Sequence, residues 1–514
     1  MFICNKMCNF AFDFKVKMAE ERNESYSHVL KYTGIFGGVQ GLNILIGLVR
    51  NKFVAILLGP AGMGFASLLM SVQNFAAQFT NLGISFGAVP HLSELYDEKS
   101  NERLLHFIQV VRLWSLIAAG LGFLFCIISS SFADTLTFTW GNHTLHYAVL
   151  GISVAILAVT GGETAILKAT RRLGPLAKIQ IITALLSLVI SVPLYYFLFH
   201  SGVIPVIVLT ALVTMLSTIY YSYRCYPLRL NFNRSLLGEG FGMIRLGIAF
   251  VLAAVAGSGS EMVIRSFLNV EGGLGDVGLF NVGYLITMTY AGMVFSAMES
   301  DYFPRLSAVN QNVEATNITV NRQMEVSLLL LSPMLAALLM LLPMLIPLLF
   351  SDEFMPVIGM AQVAVLAMYF KVMTLPVAYI TLARSYSLSY LFLETTYYLV
   401  LVLLVVLGYR YYGILGTGLA IVVAHVFDFL MINGYAYWKY QYRSTYKLML
   451  YASLQTLLGL SVYVVSLLTE GWLYWTIEAA LVVVSAAYSM SVLRQKTHLW
   501  ESLKKRFLFL RKSA

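Results

Sequence analysis

About fourteen apolar stretches run along this chain, and charge interrupts several of them. Arg50, Lys52, Glu163, Glu261, Arg265, Lys371 and Asp428 all stand in or beside long apolar runs. A bilayer allows helices or closed barrels, because every backbone polar group must be satisfied without water. Unbroken apolar runs of about 20 residues, such as Leu328 to Phe350, exclude the dyad alternation of a barrel. The fold class is therefore an all-α polytopic membrane protein. A charge inside such a helix costs about 3 kcal/mol on insertion scales, so it normally faces a watery interior. Charges in several helices of one chain point to a transporter of something polar.

Only 11% of residues are charged, against about 25% in soluble domains. The formal net charge of +9 reads as the cytoplasmic-loop excess of Lys and Arg, not as a nucleic-acid surface. Basic residues recur at every second connection, for example Lys99, Arg103 and Arg112, then Lys168, Arg171, Arg172 and Lys178, then Arg224, Arg229, Arg234 and Arg245. All Lys and Arg fit this alternation except Arg50, Lys52, Arg265, Lys371 and Arg410. Both termini are expected in the cytoplasm, with an even number of spans. The longest external connection is expected over Ser130–His146. Such short loops leave no room for the external domain of an integral glycan polymerase or ligase, so no enzyme is expected. The scattered cysteines (Cys4, Cys8, Cys126, Cys225) give neither a disulfide frame nor a zinc site. The first 28 residues are polar and unlike a signal peptide, and Met18 offers a second candidate start.

The spans are predicted near 31–58, 63–90, 107–131, 145–168, 176–199, 203–223, 241–267, 277–298, 326–350, 356–381, 387–408, 412–438, 447–468 and 472–493. A shift of 214 residues overlays Gly59 on Gly273, Gly64 on Gly278, Pro90 on Pro304 and Ser93 on Ser307. Six spans separate the copies, so both have the same orientation, as in parallel repeats about an axis along the membrane normal. The expected organisation is a cytoplasmic arm (1–30), an N-lobe of spans 1–6 (31–230) and a C-lobe of spans 7–12 (231–440). Two further spans (441–493) and a basic cytoplasmic tail (494–514) follow.

The run Lys52-Phe-Val-Ala-Ile-Leu-Leu-Gly59-Pro60-Ala61-Gly62-Met63-Gly64, followed by Asn81-Leu82-Gly83-Ile84, resembles the Wzx-type polysaccharide transporter family. That family lies within the multidrug/oligosaccharidyl-lipid/polysaccharide exporter superfamily. Phe303-Pro304-Arg305-Leu306-Ser307 is similar to the superfamily's exit from span 8. The likeness covers most of residues 30–440. It implies two six-helix lobes around a central cavity, working by alternating access in the bacterial cytoplasmic (inner) membrane. The implied substrate is an undecaprenyl-diphosphate-linked oligosaccharide, carried from the cytoplasmic to the periplasmic leaflet for O-antigen-like or capsule-like polysaccharide. It also implies other polysaccharide assembly proteins as partners.

Polar residues support a cavity directly. Gln40, Asn43, Gly47 and Arg50 share one face of span 1, and Asn74, Gln78, Asn81 and Ser85 one face of span 2. Interhelical hydrogen bonding is the alternative for any single amide, at about 1 kcal/mol per contact. The second copy has Met288, Gly292 and Phe295 in place of the span 2 stripe, so the lobes are not chemically equivalent. A diphosphate calls for cations, and Arg50, Lys52, Arg265 and Lys371 are the candidates. Snorkelling to headgroups is the alternative for Lys52 and Arg265.

No resident cofactor is expected, and no Gly-x4-Gly-Lys-Ser/Thr loop provides for ATP. A coupling H⁺ or Na⁺, as in an antiporter, would need acids. Asp428 three residues after His425 suggests a proton relay. Glu261 stands four before Arg265 and so can simply pair with it. Glu163 and Glu299, near cytoplasmic helix ends, are candidate gate partners of Arg305, with solvated ends as the alternative. Two rival functions remain: a lipid II flippase, which shares headgroup and helix count, and a cation-coupled multidrug exporter, which would need an acid-dominated cavity.

Overall fold

The computed structural model describes residues 2–98, 100–137, 143–228, 234–290, 292, 302–384 and 386–496. Side chains are described from Val39 onward, save those of residues 40, 136, 137, 234, 235, 246, 290 and 496. Ten segments are long and apolar enough to cross a membrane. Four of these contain a break, at Gly59, at the turn Phe199–Gly202, at Gly273 and at Gly413, which gives fourteen spans among the described residues. Spans 1 and 2 form Phe2–Thr80, and span 2 continues as Ile84–Asp97. Spans 3 to 6 are Asn101–Thr137, Thr144–Ala169, Leu173–Leu198 and Val203–Cys225. Spans 7 and 8 share Arg234–Tyr284, continuing as a π-helix over Leu285–Tyr290. Spans 9 and 10 are Val313–Leu349 and Ile358–Ala383, spans 11 and 12 share Ser387–Tyr440, and spans 13 and 14 are Tyr446–Leu468 and Gly471–Lys496.

The repeat is written into the backbone. Gly59 (φ 62°, ψ −173°) and Gly273 (φ 83°, ψ 178°) make the same turn, in a region that a Cβ would strain. The same offset relates Arg172 (φ −80°, ψ 59°) to Tyr386 (φ −84°, ψ 67°). It also relates Phe199 (φ 50°, ψ −130°) to Gly413 (φ 57°, ψ −142°). The duplication thus extends well past the motifs that first reveal it. At the glycine-turn end the two copies meet reciprocally. A Cβ on Gly64 would run into the Leu274 carbonyl, and one on Gly278 into the carbonyl of Pro60, the repeat counterpart of Leu274. Small residues let helix backbones approach this closely. Spans 13 and 14 lie outside the duplication and dock on the C-lobe. Gln455 is bonded to Ser485 and Ser489, Gly459 lies against Tyr369, and the Tyr474 hydroxyl donates to Met340 O at 2.7 Å.

The structure adds one detail to the sequence-based expectations and corrects three. The polar arm is helical over residues 2–30 and continuous with span 1, for no Gly or Pro interrupts the chain before Gly34. Span 2 is not one helix: Leu82 (φ 53°) and Gly83 (φ 76°) take left-handed conformations and restart it at Ile84. The expected loop Ser130–His146 is largely helical, because span 3 runs to Thr137. Asp134 then accepts from the His143 N–H at 3.0 Å and the Thr144 hydroxyl at 3.3 Å. Arg112 is not on a connection but buried within span 3. Its guanidinium donates to Glu163 of span 4 at 2.7 and 3.2 Å and to the carbonyls of Tyr226 and Pro227 at 2.9 and 3.1 Å. Ser222 donates to the same carboxylate at 2.5 Å. A buried ion pair is tolerable when its remaining donors and acceptors are satisfied in this way.

Candidate substrate site

The two lobes enclose a cavity of about 410 Å³. Span 1 contributes Arg50 and Asn51, span 2 Ser67 and Asn74, span 7 Glu261 and Arg265, and span 8 Asn281. Arg50 donates from Nη1 to Ser187 of span 5 at 2.9 Å, and Arg265 from Nη1 to Glu261 at 2.9 Å. The Nε of each guanidinium is buried without a partner. A buried donor left unmade costs about 1–3 kcal/mol, so both arginines are poised to accept an anion. The expected Glu261–Arg265 pair is therefore present, and it keeps one fork of Arg265 occupied.

Arg50, Thr210 and Thr214 also line a second cavity of about 570 Å³ lying wholly within the N-lobe. Its walls are spans 1, 4, 5 and 6, and Lys168 and Leu173 mark its end toward the basic connections. Asn43 faces this chamber, not the seam between lobes, and donates to Gln180 at 3.4 Å. Sequence reading missed most of this site. Thr210, Thr214, Thr218 and Ser222 recur every fourth residue along span 6, and Gln180, Thr183, Ser187 and Ser191 at steps of three, four and four along span 5. That helical spacing was the available signal.

The C-lobe interior gathers charge instead. Lys371 of span 10 interacts electrostatically with Glu394 of span 11 and Asp428 of span 12. Among the described residues no hydrogen bond joins His425 to Asp428. The His425 Nδ1 lies 2.9 Å from Ile421 O, and the Tyr397 hydroxyl lies 3.4 Å from its ring nitrogens. Lys371 is thus placed among acids and apart from the arginines of the cavity.

The remaining candidates are dispersed. Lys52 donates to Pro347 O of span 9 at 2.9 Å, tying the lobes together, and is not among the lining residues of either cavity. Of the expected span 2 stripe, Asn74 alone lines the cavity, beside Gln73; Asn81, next to the break at Leu82–Gly83, turns to Ser85 at 3.2 Å. Gln78 lies outside both linings, with its Oε1 buried and unpartnered. Glu163 is held by Arg112 and is not a gate partner of Arg305, which is exposed and bonded to Gln323 at 3.2 Å. Glu299 and the Gln40 side chain lie outside the described residues. The Gly257-Ser258-Gly259 run is a close-packing site: Gly257 abuts the Tyr398 ring and Gly259 that of Phe75.

A family model described as "Polysaccharide biosynthesis protein" matches residues 53–359, more than half of the chain. A search of curated proteins returns no match. Among solved structures, the fold is similar to that of the lipid II flippase MurJ in an inward closed conformation. The TM-score is 0.70 at 15% identity, covering 90% of this chain and 99% of that one. It is also similar to an inward-facing multidrug resistance MATE family transporter of the MOP superfamily. There the TM-score is 0.64 at 16% identity, covering 76% of this chain and 94% of that one. At these identities the likeness shows the fold alone.

Proposed function

The chain belongs to the polysaccharide biosynthesis protein family, and from that premise we propose that it is a flippase for undecaprenyl-diphosphate-linked oligosaccharide. The observation that carries this reading is the pairing of Arg50 and Arg265. One arginine from each lobe lines the same cavity, and each keeps a buried Nε without a partner. A diphosphate supplies the charge and the acceptor oxygens for both forks. Arginines from opposite lobes can release their ligand when the lobes rock apart, as alternating access requires. An organic cation would find this chamber hostile, which favours the glycan lipid over a drug.

In this reading the basic end faces the cytoplasm, and substrate is carried toward the glycine-turn end. Lys371, Glu394 and Asp428 are where an H⁺ or Na⁺ gradient would act. The deciding experiment reconstitutes the purified protein in liposomes with fluorescent undecaprenyl-diphosphate-linked oligosaccharide and follows its arrival in the opposite leaflet. Transport that is lost in Arg50→Gln and Arg265→Gln supports the reading. Ethidium efflux without lipid movement overturns it.

A further inference from the structure

The diphosphate site leaves the N-lobe chamber unused, and the inference drawn from that chamber rests on the flippase reading. Four buried polar atoms there have no partner: Asn43 Oδ1, Arg50 Nε, Thr183 Oγ1 and Thr210 Oγ1. Thr214 and Thr218 donate their hydroxyls to Thr210 O at 2.8 Å and Thr214 O at 2.7 Å, leaving oxygen lone pairs for an incoming donor. The polar groups of the walls are hydroxyls and amides with no carboxylate, set among the apolar Leu173, Leu176, Ile179 and Ala184, and the cations stand at Arg50 and Lys168. Such a surface suits a neutral ligand rich in both donors and acceptors, and buried polar groups without partners reject ligands that cannot satisfy them. Its volume, about 570 Å³, falls within the usual range for small-molecule pockets.

The repeat explains why only one lobe is hollow. The C-lobe counterparts of Thr183 and Ala184 are Tyr397 and Tyr398, and Tyr398 fills the space beside Gly257, the counterpart of Asn43. Gln180 and Thr214 correspond to Glu394 and Asp428. Two small side chains open in the N-lobe what two tyrosines close in the C-lobe, and two carboxyls charge what a hydroxyl and an amide leave neutral.

We propose that the chamber among spans 1, 4, 5 and 6 is the glycan subsite. It takes the sugars nearest the diphosphate, while Arg50, shared by both cavities, holds the phosphate at their junction. The lipid-linked sugar therefore leans into the N-lobe only.

The test uses full-length protein in nanodiscs and two probes: undecaprenyl diphosphate, and the undecaprenyl-diphosphate-linked glycan pool extracted from the host's membranes. Thr183 and Gln180 line the chamber but not the interlobe cavity. The double variant Thr183→Val/Gln180→Leu should weaken the glycan-bearing probe by about tenfold and leave the bare lipid within about twofold, as expected for two lost hydrogen bonds. Thr183→Ser should bind both like wild type. Ala184→Tyr, which installs the C-lobe side chain, should block the glycan probe alone at unchanged thermal stability. The glycan-subsite inference falls if the chamber variants leave both probes at wild-type affinity, or weaken both equally. It falls too if wild-type protein prefers neither probe, an outcome that spares the flippase reading. Wild-type protein that binds neither probe would sink that reading as well.

Discussion

Gly64 and Gly278, related by the repeat, each face a backbone carbonyl of the other hairpin at the glycine-turn end. The contact is reciprocal, so it marks where the pseudo-twofold axis crosses this face. Neither position has room for a methyl group, and the obstacle is backbone in both cases. Gly64→Ala or Gly278→Ala should therefore wedge the hairpins apart and expose the interlobe cavity at that end. A cysteine placed at Ser67, which lines the cavity, should label from the glycine-turn side about tenfold faster in either variant, a shift of about 1.4 kcal/mol. The double variant should add little, since one seam is opened once. Unchanged labelling in both single variants would contradict the assignment of this seam as the closure of that end.

The Arg112–Glu163 pair makes a stability prediction. Both side chains are buried, and the guanidinium also holds the Tyr226 and Pro227 carbonyls that lead out of span 6. Arg112→Leu or Glu163→Leu strands the partner charge and should cost about 3–5 kcal/mol. Arg112→Leu/Glu163→Leu together should cost less than either alone, because no charge is left unpaired. Thermal unfolding of purified protein checks the order. An additive double variant would show that the pair is not coupled.

The legible part of this molecule was its hydrophobic periodicity and its punctuation. Gly59 and Gly273 mark turns because few residues other than glycine take that backbone, so there the sequence signals the conformation. Arg50 and Arg265 were visible as charges in apolar runs. What was not legible is direction. A helical face can be read from spacing, but which neighbour it meets cannot. Hence Asn43 belongs to the N-lobe chamber and not to the seam, and Glu163 meets Arg112 instead of a gate. Hydroxyls were undervalued because Thr and Ser in an apolar helix commonly bond to their own backbone, as Thr214 and Thr218 do. Their convergence from spans 5 and 6 is a tertiary fact. Break residues such as Leu82 carry no compositional warning, so the stripe on span 2 looked longer than it is.

Glu261 gives a prediction of opposite sign to the usual loss on mutation. It occupies Arg265 Nη1 at 2.9 Å and lines the cavity where the diphosphate is proposed to sit. An anion binding there must compete with this carboxylate. Glu261→Gln removes the competing charge and should tighten undecaprenyl diphosphate several-fold, whereas Arg265→Gln should weaken it by about tenfold or more, as expected for a charge-assisted bond. Tighter binding should slow release, so transport by Glu261→Gln should fall even as affinity rises. Titration of bare undecaprenyl diphosphate against each variant in nanodiscs decides the matter. Weaker binding in Glu261→Gln would mean that the carboxylate positions Arg265 and does not compete with the ligand.

The Lys371 cluster separates binding from coupling. Lys371 interacts electrostatically with both Glu394 and Asp428, whose carboxylates also act on each other. Lys371→Met leaves two acids together in a low-dielectric interior, where like charges destabilise one another. It should lower the yield of folded protein, and Lys371→Met/Asp428→Asn should recover much of it by removing the repulsion. Asp428→Asn and Glu394→Gln alone leave the interlobe arginines untouched and should bind undecaprenyl diphosphate like wild type. If an ion gradient acts at this cluster, these two variants should lose the acceleration of transport by an imposed H⁺ or Na⁺ gradient while keeping its basal rate. Measuring flipping in liposomes with and without each gradient distinguishes the two ions. A full response to both gradients in Asp428→Asn and in Glu394→Gln would place coupling elsewhere and leave the cluster a packing device of the C-lobe.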